Sequence, residues 1–188
     1  MIRLLYLTAA ITLSPALSSC AFLQQLLPGL VLSDSNMVSV LEALDEDEID
    51  AARLAQEKGS RLEVKAFAGR VLNEHRELTQ SNGRLADQLG LQPEPPALAV
   101  QLKQAHEQAM QKLRMTSGAA FDQAYVEYEI QQHVQAFNFV ETAAESEGNP
   151  QLKQELIRTG PDLLSHISAA RALERHLGSE SRDAVAAH

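Results

Sequence analysis

The sequence predicts an all-α protein folded as a four-helix bundle. Of its 188 residues, 45% are hydrophobic and only 4% are aromatic, and no Trp occurs. Ala and Leu are frequent and Glu and Gln are common at polar positions, a composition typical of helices. Four long stretches repeat apolar residues at alternating steps of three and four, the spacing of one buried helical stripe. We therefore expect four long helices in one domain with a substantial core.

The organisation of these helices follows from their caps and turns. Ser33, Asp34 or Ser35 is expected to cap a first helix that runs to about residue 58, before a Gly-Ser turn at 59–60. The remaining helices are predicted over 61–89, 97–115, 119–147 and from 150 to about 177, with a kink at Pro161. The 97–115 helix is short and lies between Pro93-Glu94-Pro95-Pro96 and Ser117-Gly118, so it reads as a crossover. The prediction is a ferritin-like four-helix bundle made of two helical hairpins joined by a crossover containing a shorter helix.

The first residues have the pattern of a bacterial lipoprotein signal peptide, predicted over 1–19. Arg3 supplies a positive charge, and the apolar stretch at 4–17 is too short to span a bilayer comfortably. The stretch ends in Leu-Ser-Ser-Cys at 17–20, which resembles the lipobox. We therefore expect cleavage before Cys20 and lipid anchoring of Cys20 in a membrane. The alternative is an ordinary signal peptide in which Cys20 is incidental.

The predicted cellular location and the domain boundaries follow from this lipid anchor. Ala21 stands where sorting to the inner membrane would place Asp, so the periplasmic face of the outer membrane is favoured over the inner membrane. Residues 20–34 are predicted to be a lipidated tether, 35–177 the bundle domain and 178–188 a flexible tail.

Charge and motif content exclude several function classes. The formal net charge of −9 and the lack of a basic stripe argue against nucleic-acid binding, since phosphate contacts need clustered Lys and Arg. The single Cys cannot form an intramolecular disulfide. No Gly-rich phosphate loop, Ser-His-Asp order or Cys-x-x-Cys motif occurs, so a nucleophilic enzyme is disfavoured.

One ionisable residue interrupts the apolar stripe of each long helix: Glu48 (or Asp45), His75, His133 and His166. Counted from the turns at about 1.5 Å per residue, all four lie roughly 17 to 26 Å along their helices. They are therefore expected to meet near mid-height at the bundle axis. Three imidazoles and a carboxylate would suit zinc, copper, iron or nickel. The di-iron Glu-x-x-His spacing is not met, because Glu129 and Asp162 stand four residues before a His.

A second interpretation of this layer stays open. Buried polar groups must be paired, so the same residues can form a hydrogen-bonded core network without metal. Tyr125, Glu129 and Asp162 are expected to orient the rings from one turn away, and Asp45 is expected to support the layer from the first helix. The other histidines, His106, His176 and His188, are predicted to be solvated. The acidic run of Glu46, Asp47 and Asp50 is interpreted as a solvated face.

Several segments together resemble the bacterial envelope family catalogued as domain of unknown function forty-one forty-two. The resemblance spans 34–177 and depends on Leu-Ala-Gln-Glu-Lys at 54–58, Val-Lys-Ala-Phe-Ala at 64–68 leading to His75, Ser-Gly-Ala-Ala-Phe-Asp at 117–122 with Tyr125 leading to His133, and Leu163 through His166. It implies export and a ferritin-like bundle, with Glu48, His75, His133 and His166 on the family's recurrent polar positions. It implies no activity, and Glu74 here stands where the family often has Asp.

Two functions remain in competition at this stage. The first is an exported, membrane-anchored lipoprotein acting as a non-catalytic envelope module that binds an unidentified partner or supports stress tolerance. The alternative is a periplasmic metal-binding protein that uses the mid-bundle layer of Glu and His. A redox enzyme would depend on fold analogy alone.

Overall fold

The protein is described here from a computed structural model that covers residues 32–186, with side chains described to residue 179. This range contains five helices and no strand: α1 (Asp34–Lys58), α2 (Leu62–Leu89), α3 (Ala97–Met115), α4 (Gly118–Ser146) and α5 (Pro150–Ala186). The predicted signal peptide, Cys20 and nearly all of the predicted tether lie outside the described residues. No helix within 32–186 is both long and apolar enough to cross a membrane.

The predicted all-α, ferritin-like bundle is confirmed, and the first four helices begin and end within one residue of their predicted bounds. The last helix differs, because it continues to Ala186 instead of ending near residue 177. Pro161 lies inside α5 without ending it. The missing amide hydrogen at Pro161 removes one helical hydrogen bond, but the buried residues on both sides of it anchor the helix to the core.

The helix ends described here are fixed by residues that hydrogen-bond free backbone amides or allow a sharp change of chain direction. Ser33 caps α1, its hydroxyl accepting a hydrogen bond from the Asn36 amide at 3.2 Å. Gly90 ends α2 in the left-handed conformation with φ 65°, which costs glycine little. A β-carbon at Gly59 would lie 2.7 Å from the Ala55 carbonyl oxygen, so the tight turn after α1 requires glycine.

The helices form two hairpins, α1 with α2 and α4 with α5, and the most extensive packing lies within each hairpin. The crossover helix α3 packs mainly on α1 and also touches α4. The fully buried Asp122 at the start of α4 joins the two hairpins, because it accepts hydrogen bonds from the backbone amides of Ser60 (2.9 Å) and Arg61 (3.1 Å). Asp122 therefore satisfies amides ahead of α2, which lacks a side-chain cap of its own.

The two largest apolar regions of the core are separated by polar side chains, and a smaller one contains Val38, Ala86 and Leu152. Of the two largest, one lies towards the α1–α2 turn and includes Ala51, Ala55, Val64, Phe67, Met110, Phe121 and Ala170. The other lies towards the α4–α5 turn and includes Met37, Leu41, Leu102, Phe139, Val140, Leu156 and Leu163. On α1, α4 and α5 respectively, Glu48, His133 and His166 fall between members of the two regions. The polar layer is thus at mid-height, as the count from the turns predicts.

Candidate metal centre

Three histidine rings from three helices meet in the polar layer. His75 on α2, His133 on α4 and His166 on α5 are each no more than 2% exposed. His75 Nε2 lies 3.4 Å from His133 Nε2, which lies 2.9 Å from His166 Nδ1. We call these three atoms the inner nitrogens and the whole group the three-histidine centre. The ligand atoms of the three residues all lie within 4.8 Å of one another, close enough to hold one metal ion.

The other nitrogen of each ring, the outer nitrogen, faces an acceptor of the protein. His75 Nδ1 donates to Asp45 Oδ1 at 2.9 Å, and His133 Nδ1 donates to the backbone carbonyl oxygen of Glu129 at 2.9 Å. His166 Nε2 contacts the Glu74 carboxylate. Carboxylate and carbonyl oxygens accept hydrogen bonds, so we assign the proton of each neutral ring to its outer nitrogen.

This assignment leaves a lone pair on each inner nitrogen. A neutral imidazole has one N–H and one lone pair, and the N–H is used on the outer side in all three rings. The three lone pairs then face one another across 2.9 and 3.4 Å with no hydrogen between them. Such an arrangement is repulsive unless a cation lies among the lone pairs. Metal-binding histidines in proteins have this same organisation, with the second N–H donated to a carboxylate or carbonyl.

Glu48 lies in a second group, with Glu129 and His133, and not among the inner nitrogens. The Glu48 and Glu129 carboxylates approach His133 Nδ1 at 3.6 and 3.5 Å, on the outer side of the ring. Ligand atoms of these three residues also lie within 4.8 Å of one another. The Glu48 and Glu129 carboxyl groups also face each other, and the Tyr125 hydroxyl faces Glu129. The layer therefore holds two buried carboxyl groups next to the three-histidine centre.

Burial favours the neutral form of these side chains. Desolvation, followed by the neighbouring Glu129, raises the pKa of Glu48 well above its ordinary value. Desolvation raises the pKa of Glu129 to about 7. It lowers the pKa of His133 well below its ordinary value, with further lowering by His75 and His166. A charged imidazolium is therefore disfavoured at His133 and at His166, because desolvation lowers the pKa of both rings.

Of the four residues that the sequence predicts to support the rings, three lie buried at the layer. Asp45 contacts His75 and also accepts a hydrogen bond from Asn82 at 2.9 Å. The backbone carbonyl of Glu129 holds His133. Tyr125 is fully buried beside the layer, and its hydroxyl faces the Glu129 carboxyl group. Asp162, the fourth, is exposed.

Asp162 does not orient His166, contrary to the prediction. Its side chain is exposed, and the Glu74 carboxylate contacts His166 Nε2 instead. The prediction considered only residues one turn away on the same helix, whereas Glu74 comes from the neighbouring helix α2. A signal was present in the sequence, because successive helical residues point about 100° apart. With His75 aimed at the axis, Glu74 faces sideways towards an adjoining helix.

The prediction that His106 and Asp47 are solvated is wrong. His106 on α3 is 5% exposed, and its Nδ1 accepts from the Tyr128 hydroxyl at 2.8 Å while Nε2 donates to Asp50 at 3.2 Å. Asp47 is 8% exposed. Both are buried because the crossover helix α3 covers this side of α1, a contact between helices far apart in sequence. Glu46, of the same acidic run, is exposed as predicted.

Comparisons with known proteins agree with the fold. The family model of DUF4142, a domain of unknown function, matches residues 24–173. A comparison with curated protein sequences finds no match. The crystal structure of a DUF305 protein from Streptomyces coelicolor, titled as a secreted protein, superposes with a TM-score of 0.66 and 11% identity, covering 76% of this chain and 92% of that one. At this identity the likeness concerns the fold alone.

Proposed function

The chain belongs to the DUF4142 family, whose description names no activity, and from the geometry above we propose that it is an exported protein that binds one transition-metal ion at the three-histidine centre. The observation that carries the proposal is the direction of the three rings. Every outer nitrogen lies against an oxygen acceptor, and with the protons assigned to the outer nitrogens every inner nitrogen keeps a lone pair directed at the other two rings. The inner nitrogens therefore form a donor set aimed at one point.

The spacing of the inner nitrogens suits a first-row metal. A metal bound to imidazole lies about 2.0–2.1 Å from each nitrogen. At that bond length, the separations of 2.9 and 3.4 Å correspond to N–metal–N angles of about 90° and 110°. Three imidazoles without a thiolate suit zinc, copper, iron or nickel. The expected ion is one of these, and not magnesium or calcium, which prefer oxygen ligands.

The adjacent carboxylates provide the charge that such an ion needs. A divalent ion on three neutral imidazoles brings two positive charges into a buried layer, which is unfavourable without counter-charges. Glu48 and Glu129 lie on the far side of His133, and both carboxyl groups are buried. Their ionised forms become favourable once a cation lies nearby. In this proposal Glu48 is a charge-balancing neighbour of the centre, and not the direct ligand that the sequence predicts.

The test is metal retention by the purified protein after incubation with single divalent ions and dialysis, measured by mass spectrometry. We expect one equivalent in the wild type, and no retention in His75→Ala/His133→Ala because two of three donors are gone. His106→Gln is the matched control, since it removes a buried, hydrogen-bonded histidine away from the centre. Cobalt loading gives a second readout, because Co²⁺ bound to nitrogen ligands absorbs visible light.

A contrary result has a definite meaning. If the wild type retains no metal, or if the double variant retains as much as the wild type, the three-histidine centre is not a metal site. The layer then fixes the register of the helices, and the protein is better understood as a non-catalytic envelope module that binds a partner or supports stress tolerance. Such a layer disfavours other pairings of the helices, because they would bury its polar side chains without partners.

We also propose that Cys20 anchors the protein to a membrane by lipid, at the periplasmic face of the outer membrane where the host has one. The lipobox-like Leu-Ser-Ser-Cys at 17–20 and Ala21 support this address. Cells expressing the full chain should incorporate labelled palmitate into the protein, and Cys20→Ser should abolish the label. Ser19→Ala is the matched control, because it keeps a small residue before the cleavage site. Equal labelling of Cys20→Ser and wild type would contradict the proposed anchor.

A further inference from the structure

A solvent-open cleft between α2 and α5 reaches the three-histidine centre. Its volume is about 470 Å³, and His75 and His166 are among its lining residues. The helices α2 and α5 belong to different hairpins and pack on each other far less than each packs on its hairpin partner. The rings themselves are at most 2% exposed, so an ion arriving from solvent needs an opening of this kind.

Glu74 lies where the cleft meets the buried rings. Its side chain is 44% exposed, one carboxylate oxygen contacts His166 Nε2, and the other lies 3.9 Å from Arg70 Nε. Glu74 is therefore the residue that touches both the solvent and a ring of the three-histidine centre. A hydrated cation in the cleft can meet this carboxylate before it meets an imidazole.

The charges around the cleft favour cations. Three acidic residues, Glu74, Glu77 and Asp162, and two basic ones, Arg84 and Arg158, line the cleft. Arg158 is paired with Glu155, and Glu74 lies beside Arg70, so each sign gains one charge and the acidic excess of one remains. Clefts lined by an excess of one charge raise the local concentration and the arrival rate of the opposite charge.

A second cavity near the centre offers much less room. It borders Glu48 and His75, and its volume of about 20 Å³ accommodates roughly one water molecule. The larger cleft is therefore the better candidate for passage.

We propose that divalent metal ions reach the three-histidine centre through the cleft between α2 and α5, with Glu74 as the positioning residue that captures them on entry. The inference rests on the proposed metal-binding function and adds the route to it. Glu74 has two separable effects in this scheme. Its charge attracts the ion, and its acceptor oxygen holds the proton of His166 on Nε2, which keeps Nδ1 free as a ligand atom.

The test uses Co²⁺ alone as the probe, with the full-length protein in detergent and stopped-flow absorbance. Glu74→Gln removes the charge but keeps an oxygen that accepts from His166, so the association rate should fall about tenfold and depend less on salt. The stoichiometry should stay at one. Glu74→Ala removes both effects, and the equilibrium affinity should fall a further 10- to 100-fold, as for other residues that orient metal ligands. Glu145→Gln, an exposed carboxylate on α4, is the matched control.

A second variant tests the route itself. Ser165 is exposed on the cleft wall, so Ser165→Trp can narrow the cleft without altering the core. A narrowed route slows entry and exit equally. We therefore expect both the association and the dissociation rate of Co²⁺ to fall by about the same factor, with the dissociation constant unchanged. Circular dichroism checks that each variant remains helical.

The outcomes separate this inference from the proposed function. If the wild type binds no Co²⁺, both are wrong. If the wild type binds one equivalent but Ser165→Trp and Glu74→Gln exchange it at the wild-type rates, the metal site stands and the cleft route is wrong. Slower exchange in both variants, with Glu145→Gln unchanged, supports the route and the role of Glu74.

Discussion

At the scale of single residues, the neighbours of the three central histidines determine which ring nitrogen is available to bind a metal ion. Each ring donates its outer N–H to a protein acceptor and leaves a lone pair on its inner nitrogen. The residue type alone does not decide this, because His106 is also buried yet has both nitrogens engaged by Tyr128 and Asp50. What distinguishes the two cases is the set of neighbours around each ring. A buried histidine is a candidate ligand where one ring nitrogen faces no oxygen of the protein and is directed at other ligand atoms.

Asp47 provides a prediction at the same scale. Desolvation raises its pKa from 3.8 to about 7, although Lys103 acts against this. Because the folded-state pKa lies above the unfolded value, the stability associated with the protonated carboxyl is fully present below pH 3.8 and is lost as the pH rises through about 7. Asp47→Asn resembles the protonated form. At pH 8 it should stabilise the protein by on the order of 1 kcal/mol.

The measurement is urea unfolding of wild type and Asp47→Asn at several pH values. The gain should shrink steadily towards pH 5, where wild-type Asp47 is largely protonated. Glu145→Gln removes an exposed charge on α4 that does not act on the pKa of Asp47, and it serves as the control. A gain that is the same at pH 5 and pH 8 would show that the burial of Asp47 does not cost stability through its charge.

At the scale of helices and turns, the bundle depends on a few contacts that join the two hairpins. Short glycine turns make α1–α2 and α4–α5 antiparallel neighbours, but they do not decide how one hairpin sits on the other. The structure shows one such link at Asp122, which accepts from the backbone amides of Ser60 and Arg61. This carboxylate connects the start of α4 to the turn before α2. The motif Ser-Gly-Ala-Ala-Phe-Asp at 117–122 thereby acquires a structural role.

Asp122→Ala should therefore destabilise the protein by about 2–4 kcal/mol, because a buried charged acceptor is lost and two amides are left unsatisfied. Thermal unfolding of the variant beside wild type measures this. Glu127→Ala, an exposed carboxylate on the same helix, should change stability by less than about 0.5 kcal/mol. Equal melting temperatures for wild type and Asp122→Ala would mean that water replaces the carboxylate without cost.

At the scale of the whole molecule, the polar layer divides the core, and its three-histidine centre joins three of the four long helices at one point. A ligand bound there connects α2 with α4 and α5, and so connects the two hairpins. The hairpins otherwise meet through much less extensive packing than each has internally. Metal binding should consequently stabilise the bundle as a whole, and not one helix.

The corresponding prediction is a metal-dependent melting temperature. A ligand that binds only the folded state at 100 times its dissociation constant adds about 2.7 kcal/mol. For a domain of this size that corresponds to roughly 5–10 °C. Calorimetry with and without zinc measures the shift, which should vanish in His133→Ala and persist in His106→Gln. A shift of equal size in His133→Ala would place the stabilising ion elsewhere.

Much of this molecule follows from local rules that the sequence carries. Apolar periodicity, glycine turns and a capping serine determine the helices to within one residue at most ends, and counting along helices of known rise places His75, His133 and His166 at one height. These features depend on residues that are close together in the chain, so they can be predicted from the sequence.

Only the tertiary structure decides which groups touch. It places Glu74, and not Asp162, against His166, and sets Glu48 on the outer side of His133 beside Glu129. It also buries His106 and Asp47 beneath the crossover helix and opens the cleft between α2 and α5. The reason is that these contacts depend on the rotation and spacing of helices from different hairpins. Packing of the entire core determines these rotations and distances, so they cannot be predicted from any single segment.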